Sequence, residues 1–423
     1  MRVLFDISML GLGHLYSLSR AGTFRAHQHL AEGLAASGEC ELLFCANHSS
    51  FVYQGCIEYL RESPRLGHLP LLGPSRAGAP SALRRGVAGA HRWARALLRS
   101  NQLPPLLRYG GRLVDRRIHA PVSNAAPPVD VFHSPAVPLP ARAASGRSPQ
   151  RFLTIFDVAY TRVPAAAGRA SPRAVREALD SVREGDWVLT SSESTRADLC
   201  ACGVEPERVF VAPLAADPHL FAPCTDAARL RGVRERYGIP AGPYLLSVNA
   251  LDPRKNMPHA LRAFARLVQQ EGVRDLSYVL AGHSGPGSPQ VEEALRAFPA
   301  LRDRIVLTGF VADDDLAPLY SGAAAFVYPS LYEGFGLAPL EAMQCGAPVI
   351  VSDVSSLPEV VGDAGILVDP RDGDALCQAM LDVYRDAALR ERMREQSLGR
   401  AATFSWERCT RQTLDAYRTA LAA

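Results

Sequence analysis

Two glutamates, Glu333 and Glu341, stand on either side of a glycine turn in the stretch from Ser330 to Pro348. Gly334 and Gly336 let the backbone turn tightly and approach a ligand closely. Pro339 is tolerated only in a first helical turn, so a helix is expected to begin near Leu337. A helix start presents free N–H groups and partial positive charge, which suits a phosphate. Glu341 then lies one turn in, roughly 6 Å along the axis at 1.5 Å per residue. One carboxylate before the turn and one behind it can grip two hydroxyl-bearing parts of a ligand whose phosphates lie between them. Sugar, diphosphate and ribose in a row have that layout. The same spacing also arises by chance, and such a turn also serves as plain scaffold.

A cationic pair supports the ligand reading. Arg254 and Lys255 follow the apolar run 244–248, and in open α/β sheets ligands sit at the carboxyl ends of strands. Arg grips bidentately, Lys acts as a point charge, and together they can neutralise a diphosphate when bound and when leaving. The alternative is a solvated cap on the following helix, 257–270. Cations at a helix start are unfavourable there by roughly 0.3–1 kcal/mol.

Other strand ends offer weaker candidates. Thr308, Gly309, Phe310 and Val311 can present backbone to a base. Asp313, Asp314 and Asp315 resemble an acidic metal site but read first as a helix cap over 315–321. His283 lies in a glycine-rich loop. Gly22 and Arg25 open a helix that can face the ligand. His133 and Asp157 either reach a cleft or bond local backbone. Ser191, Ser192 and Glu193 read as a capping group.

The elements that must position these residues show in the apolar pattern. Runs at 2–7, 42–45, 129–133, 151–156, 187–191 and 209–212 read as buried strands in an irregular first half. A glycine-rich loop is expected through Gly11, Gly13 and Gly22, and a helix over 24–36. Runs at 244–248, 278–281, 305–308, 325–328, 349–352 and 365–368 alternate with helical segments, the pattern of a doubly wound parallel sheet. A linker is expected at 215–225. A last helix follows Ser405, a good N-cap. Within 65–117 eleven arginines meet one acid, Asp115, and 83–99 reads as a basic amphipathic helix.

At 423 residues the chain has room for two to three domains with their own cores. With 48% hydrophobic and 21% charged residues it falls in the soluble globular class. A net charge of +3 points to no nucleic acid partner. The nine cysteines form no zinc spacing and no disulfide framework, which suggests a reducing compartment. No apolar run approaches the ~20 residues of a membrane span, and Asp6 interrupts any signal-peptide core. A cytoplasmic location is expected, with possible peripheral contact on the inner face of the membrane.

These motifs resemble a retaining glycosyltransferase of family four. The resemblance is nearly complete over 243–370 and looser before it, at 20–25, 131–135, 154–157, 189–194 and 213–217. It implies the α/β GT-B fold, two Rossmann-like doubly wound parallel-sheet domains facing across a cleft. Residues 1–220 would be the acceptor-side domain and 221–404 the nucleotide-sugar domain. The helix in 405–423 would cross back to the first.

By the same resemblance Glu333 bonds the donor hexose, Glu341 the ribose, and Arg254 and Lys255 the diphosphate. Asp157 joins Glu333 and the cations as a catalytic candidate. The backbone at Gly336 and Leu337 cradles phosphate or sugar oxygens, Phe310 lies by the base, and Gly334, Phe335, Val311, Asn249 and Gly22 complete the donor site. A hexose, mannose in the first place, would pass from a nucleotide-diphosphate sugar such as GDP-mannose to a glycan or lipid-linked acceptor. The implied route is front-face and retaining, with no metal and no cofactor.

Two positions depart from the pattern. Phe156 stands where many relatives carry a histidine, and Asn249 where some carry an arginine. Phe156 keeps open a non-catalytic nucleotide-sugar-binding protein, and an epimerase on the same fold is a further alternative. The segment from Arg84 to Arg117 is a candidate contact for an anionic membrane or an acidic acceptor.

Overall fold

Every one of those apolar runs is a parallel strand in the computed structural model, which describes residues 1–15, 22–73, 127–140, 149–163, 170–248, 252–282 and 288–423. Asn249, His283, Arg20 and the arginine-rich stretch from Arg84 to Arg117 lie outside the described residues. The first sheet is built from β1 (Arg2–Asp6), β2 (Glu41–Cys45), β3 (Val131–Pro135), β4 (Gln150–Thr154), β5 (Trp187–Thr190) and β6 (Val209–Val211), in the order β2-β1-β3-β4-β5-β6. The second holds β7 (Tyr244–Val248), β8 (Ser277–Ala281), β9 (Ile305–Gly309), β10 (Ala325–Tyr328), β11 (Val349–Ser352) and β12 (Ile366–Val368), in the order β12-β11-β10-β7-β8-β9.

Both sheets are wound in two directions from a central pair. Phe326 of β10 pairs with Leu246 of β7 on one side and Val349 of β11 on the other. The strand order reverses between β7 and β10, and in such sheets the crevice at that reversal is where ligands bind. Residues 252–256 follow β7 there, and 329–336 leave β10. Between the sheets, residues 212–226 carry neither helix nor strand, yet Phe221 within them is buried. One apolar core runs from Phe5 of the first sheet through Phe221 to Phe326 of the second.

Two helices at the start of the chain depart from the sequence reading. Residues 8–15, expected as a glycine-rich loop, form α1 (Ser8–Leu15). Its glycines serve packing rather than turning. A Cβ on Gly11 would lie 2.6 Å from the Val52 carbonyl oxygen, and one on Gly13 would run into the Phe24 ring. After α2 (Gly22–Ala36) comes α3 (Ser50–Glu62), which the sequence reading did not anticipate. Gly55, a poor helix former, hides it. That glycine is required because a Cβ there would come 2.7 Å from the Gly11 carbonyl oxygen, so α1 and α3 cross backbone to backbone.

The remaining helices that shape the site are α4 (Glu193–Ala201), α5 (Met257–Gln270), α6 (Asp313–Gly322), α7 (Leu337–Gln344), α8 (Leu357–Val361) and α9 (Trp406–Ala422). Ser192 caps α4 by accepting from Thr195 N at 3.1 Å, and Ser405 caps α9 by accepting from Arg408 N at 3.1 Å. The triple aspartate does not cap α6: Ala312 holds that position, and the aspartates form the first turn. They still favour the helix start electrostatically.

Helix α9 packs against α2 and the first sheet. Tyr417, fully buried, places its hydroxyl 2.5 Å from His133 Nδ1, and Trp406 stacks on His29 at 4.6 Å. His133 therefore does not reach a cleft. Its Nε2 pairs with the Thr154 hydroxyl at 2.6 Å, and burial pushes its pKa down to about 3, so it stays neutral. Among the described residues no helix is long and apolar enough to cross a membrane.

Candidate active site

The chain leaving β7 is folded back by a short turn. Asp252 Oδ1 accepts from Arg254 N at 2.9 Å, and Asn256 takes a left-handed φ of 58° before α5 begins. This aims Arg254 and Lys255 at the end of β10. Leu331 N donates to the Arg254 carbonyl at 2.8 Å and ties the two loops together. Arg254 Nη1 lies 2.7 Å from Glu333 Oε2 and Lys255 Nζ 2.5 Å from Oε1. The Ser330 hydroxyl donates to the same Oε1, and Lys255 sits 4.5 Å over the Tyr328 ring.

Burial alone would push the Glu333 carboxyl up. Arg254 and Lys255 outweigh it and hold the group at about 2. Burial lowers Lys255 to about 8 against the pull of Glu333, so the ammonium remains charged at neutral pH. Two cations stand together beside the glycine turn, with Asp157 acting on Arg254 and Asp252 on Lys255 besides Glu333. Paired fixed cations at such a turn suit an anionic group.

The glycine turn is pressed against the first half of the chain. A Cβ on Gly334 would run into the Phe156 carbonyl oxygen and come 2.6 Å from Asp157 Cβ. The Gly334 carbonyl accepts from Ser192 Oγ at 2.7 Å and Thr195 Oγ1 at 3.1 Å. Glu359 of α8 accepts from Glu193 N at 2.8 Å and Ser194 N at 2.7 Å, closing the start of α4 from the other half. Tyr332 donates to Asp198 at 2.8 Å. Gly336, at φ 115°, is the N-cap of α7, which begins at Leu337.

The second carboxylate has a different setting. Glu341, also buried, accepts from Tyr320 OH at 3.4 Å and from Arg25 Nη1 at 3.1 Å. Arg25 belongs to α2, in the first half, and its other nitrogen pairs with Asp313 at 2.6 Å. Burial raises Glu341 to about 7, Arg25 and Tyr320 hold it from rising further, and Asp313 adds to the rise. Gly22 opens α2 against α7, where a Cβ would lie 2.9 Å from Leu337 Cδ1.

Glu333, Gly334, Gly336, Leu337, Glu341, Arg254, Lys255, Asp157 and Gly22 thus come together at one crevice. Asp157 also bonds its own backbone, accepting from Ala159 N at 3.1 Å. The Phe335 ring is buried 6.0 Å from Phe404 and its carbonyl accepts from Ser356 Oγ at 2.7 Å, so its side chain faces the core. Val311 is likewise buried in the core, whereas Phe310 is 61% exposed. Phe156 packs its ring 5.2 Å from His27.

Sequence reasoning placed Arg25 on a helix that can face the ligand without giving it a partner, and did not assign Ser330, Tyr320 or the Ser192–Thr195 contact with Gly334. The signal for Arg25 was its place three residues after Gly22, on the same helical face. The acidic run is also accounted for: Arg236 Nη1 lies 2.7 Å from Asp315, Tyr237 donates to it at 2.8 Å, and Arg25 holds Asp313. Among the described residues there is no group of three or more metal-capable side chains.

Residues 233–400 match the family model described as glycosyl transferases group 1. The chain is 35% identical over 289 residues to the O-antigen chain mannosyltransferase B of Escherichia coli, covering 68% of this chain and 74% of that one. It is 36% identical over 184 residues to the serotype-specific mannosyltransferase WbdA of the same organism, covering 43% of this chain but only 22% of that longer protein. Among solved structures, sucrose-phosphate synthase from Thermosynechococcus elongatus matches with a TM-score of 0.68 at 20% identity, over 100% of this chain and 99% of that one. The chain belongs to the glycosyl transferases group 1 family. It is a glycosyltransferase of GT-B fold, with homologues that are mannosyltransferases.

Proposed function

We propose that the enzyme transfers a hexose, mannose in the first place, from a nucleoside diphosphate sugar to a glycan or lipid-linked acceptor, with retention of the anomeric configuration. GDP-mannose is the preferred donor on the strength of the mannosyltransferase relatives. The observation that carries this reading is the buried Glu333–Arg254–Lys255 cluster beside the Gly334 turn.

The diphosphate binds over Arg254 and Lys255, and the start of α7 offers it free N–H groups. Both oxygens of Glu333 meet a cation, and the remaining acceptor position on Oε2 is offered to a sugar hydroxyl. As the glycosidic bond to phosphate breaks, negative charge grows on the leaving oxygen, where two fixed cations already stand. The acceptor hydroxyl attacks from the same face, and its proton passes to the departing phosphate. Retention then needs no covalent enzyme intermediate. Arg254 and Lys255 supply the charge a metal would, so transfer is expected to survive chelation by EDTA.

The test is a panel of GDP-, UDP-, dTDP- and ADP-sugars on the wild type and Glu341→Ala, read by thermal shift and by nucleoside diphosphate release. Stabilisation by the GDP sugar, with release lost in the variant, is the expected result. Stabilisation by another nucleotide class would overturn the donor assignment. Donor binding with no release in the presence of any acceptor extract would overturn catalysis in favour of a binding protein.

A further inference from the structure

We propose that Arg25 is a positioning residue for transfer: reaching from the first half of the chain, it braces Glu341 and Asp313 together, so the nucleoside end of the donor is gripped fully only when the two halves are closed. The inference rests on reading Glu341 as the ribose carboxylate.

The geometry is specific. Gly22 and Arg25 lie one turn apart on α2, and Gly22 already touches Leu337 at the start of α7. The guanidinium then forks, one nitrogen to Glu341 at 3.1 Å and the other to Asp313 at 2.6 Å. It lies 5.4 Å from the Phe221 ring in the connection between the sheets. A planar, permanently charged fork suits two carboxylates from two helices, α6 and α7. Asp313 also stands three residues past Phe310, at the mouth where a base would lie.

The brace leaves room for a ligand. A carboxylate offers about four acceptor positions. Arg25 and Tyr320 occupy two on Glu341, which leaves two for adjacent hydroxyls. The charged and titratable groups facing Glu341 are Arg25 on α2, Asp313 and Tyr320 on α6, Tyr328 on β10 and Cys345 after α7. Arg25 is the cation among them. Burial and Asp313 favour the protonated form, and Arg25 opposes both. A protonated Glu341 loses acceptor capacity toward ribose, and Arg25, which also orders the carboxylate, is the cation that opposes its protonation.

Binding of GDP and UDP to the full chain, measured by calorimetry from pH 6 to 8.5, tests this on the wild type, Arg25→Ala, Arg25→Lys and Glu341→Ala. Arg25→Ala is expected to weaken nucleotide binding about 10-fold at pH 7 and to move the pH midpoint of binding up by about one unit. Arg25→Lys should return the midpoint toward the wild type. Arg25→Ala with wild-type affinity and midpoint, while Glu341→Ala loses binding, would overturn the role of Arg25. Wild-type affinity in Glu341→Ala would overturn the ribose assignment itself. If Arg25→Ala does not fold, Asp313→Asn serves instead: removal of the carboxylate that raises Glu341 is expected to move the midpoint down, and an unmoved midpoint overturns the proposal.

Discussion

Glu333 and Glu341 are the same residue type, eight positions apart, both buried, and their acidities are shifted in opposite directions. Glu333 lies at about 2 and Glu341 at about 7. The difference is in who faces them. Glu333 meets two cations from the loop after β7, in its own half of the chain. Glu341 meets one, delivered by α2 from the other half. The ionisation of Glu333 is therefore set within the second half, whereas that of Glu341 is set in part by a residue of the first. Burial costs both carboxylates alike, so the count and origin of cations decides between them.

The largest expected effect separates the two. Glu333→Gln should lower transfer by about 10²–10³, measured as nucleoside diphosphate release, because it unbalances the cations beneath the diphosphate and loses the sugar contact. Similar losses in Glu333→Gln and Glu341→Gln would break the comparison.

Next comes the turn that joins them. Gly334→Ala puts a methyl against the Phe156 carbonyl and Asp157. The halves then cannot close, and transfer should fall by about 10²-fold, the scale of a 1 Å misplacement, with the far-ultraviolet circular dichroism unchanged.

Glu341→Gln is expected to raise the donor KM about 10-fold with kcat little changed, as for loss of binding shared by ground and transition states. Its pH behaviour sharpens the point. Donor affinity of the wild type should fall as pH drops through about 7, while the variant stays flat. Stability runs the other way. A carboxyl raised from 4.5 to about 7 contributes stability below 4.5 that is lost as pH rises through 7. Glu333, lowered from 4.5 to about 2, contributes stability above 4.5 that is lost as pH falls through 2. Urea titrations of the wild type against each Gln variant should show the Glu341 slope as a difference between pH 4.5 and 7, and the Glu333 slope, of opposite sign, between pH 2 and 4.5.

The smallest effect lies away from the crevice. Tyr417→Phe removes the partner of His133 Nδ1 and should cost about 1–3 kcal/mol of stability, read by chemical denaturation, with the donor KM unchanged.

Much of this architecture was legible because parallel strands buried on both faces are continuous apolar runs. The runs at 244–248 and 325–328 needed no tertiary information. The Gly336–Pro339 stretch likewise announced the start of α7 through backbone chemistry alone. α3 was not legible, because Gly55 argues against a helix until Gly11 is seen beside it. The direction of the Phe335 side chain was not legible: its neighbours Gly334 and Gly336 are at the crevice while its ring turns to Phe404. His133 stood at a strand end like a ligand-binding residue, and only the return of α9 gave it Tyr417 as a partner.

What the sequence determined by itself was local: where each strand and most helices run, where the glycine turn falls, and that two cations and two carboxylates leave neighbouring strands. Those follow from side-chain periodicity and backbone permission, which act over a few residues. Tertiary structure alone decided the charge states. An ionisation constant depends on burial and on charges within a few ångströms, and Arg25 stands 316 residues from Glu341 along the chain but 3.1 Å away in space.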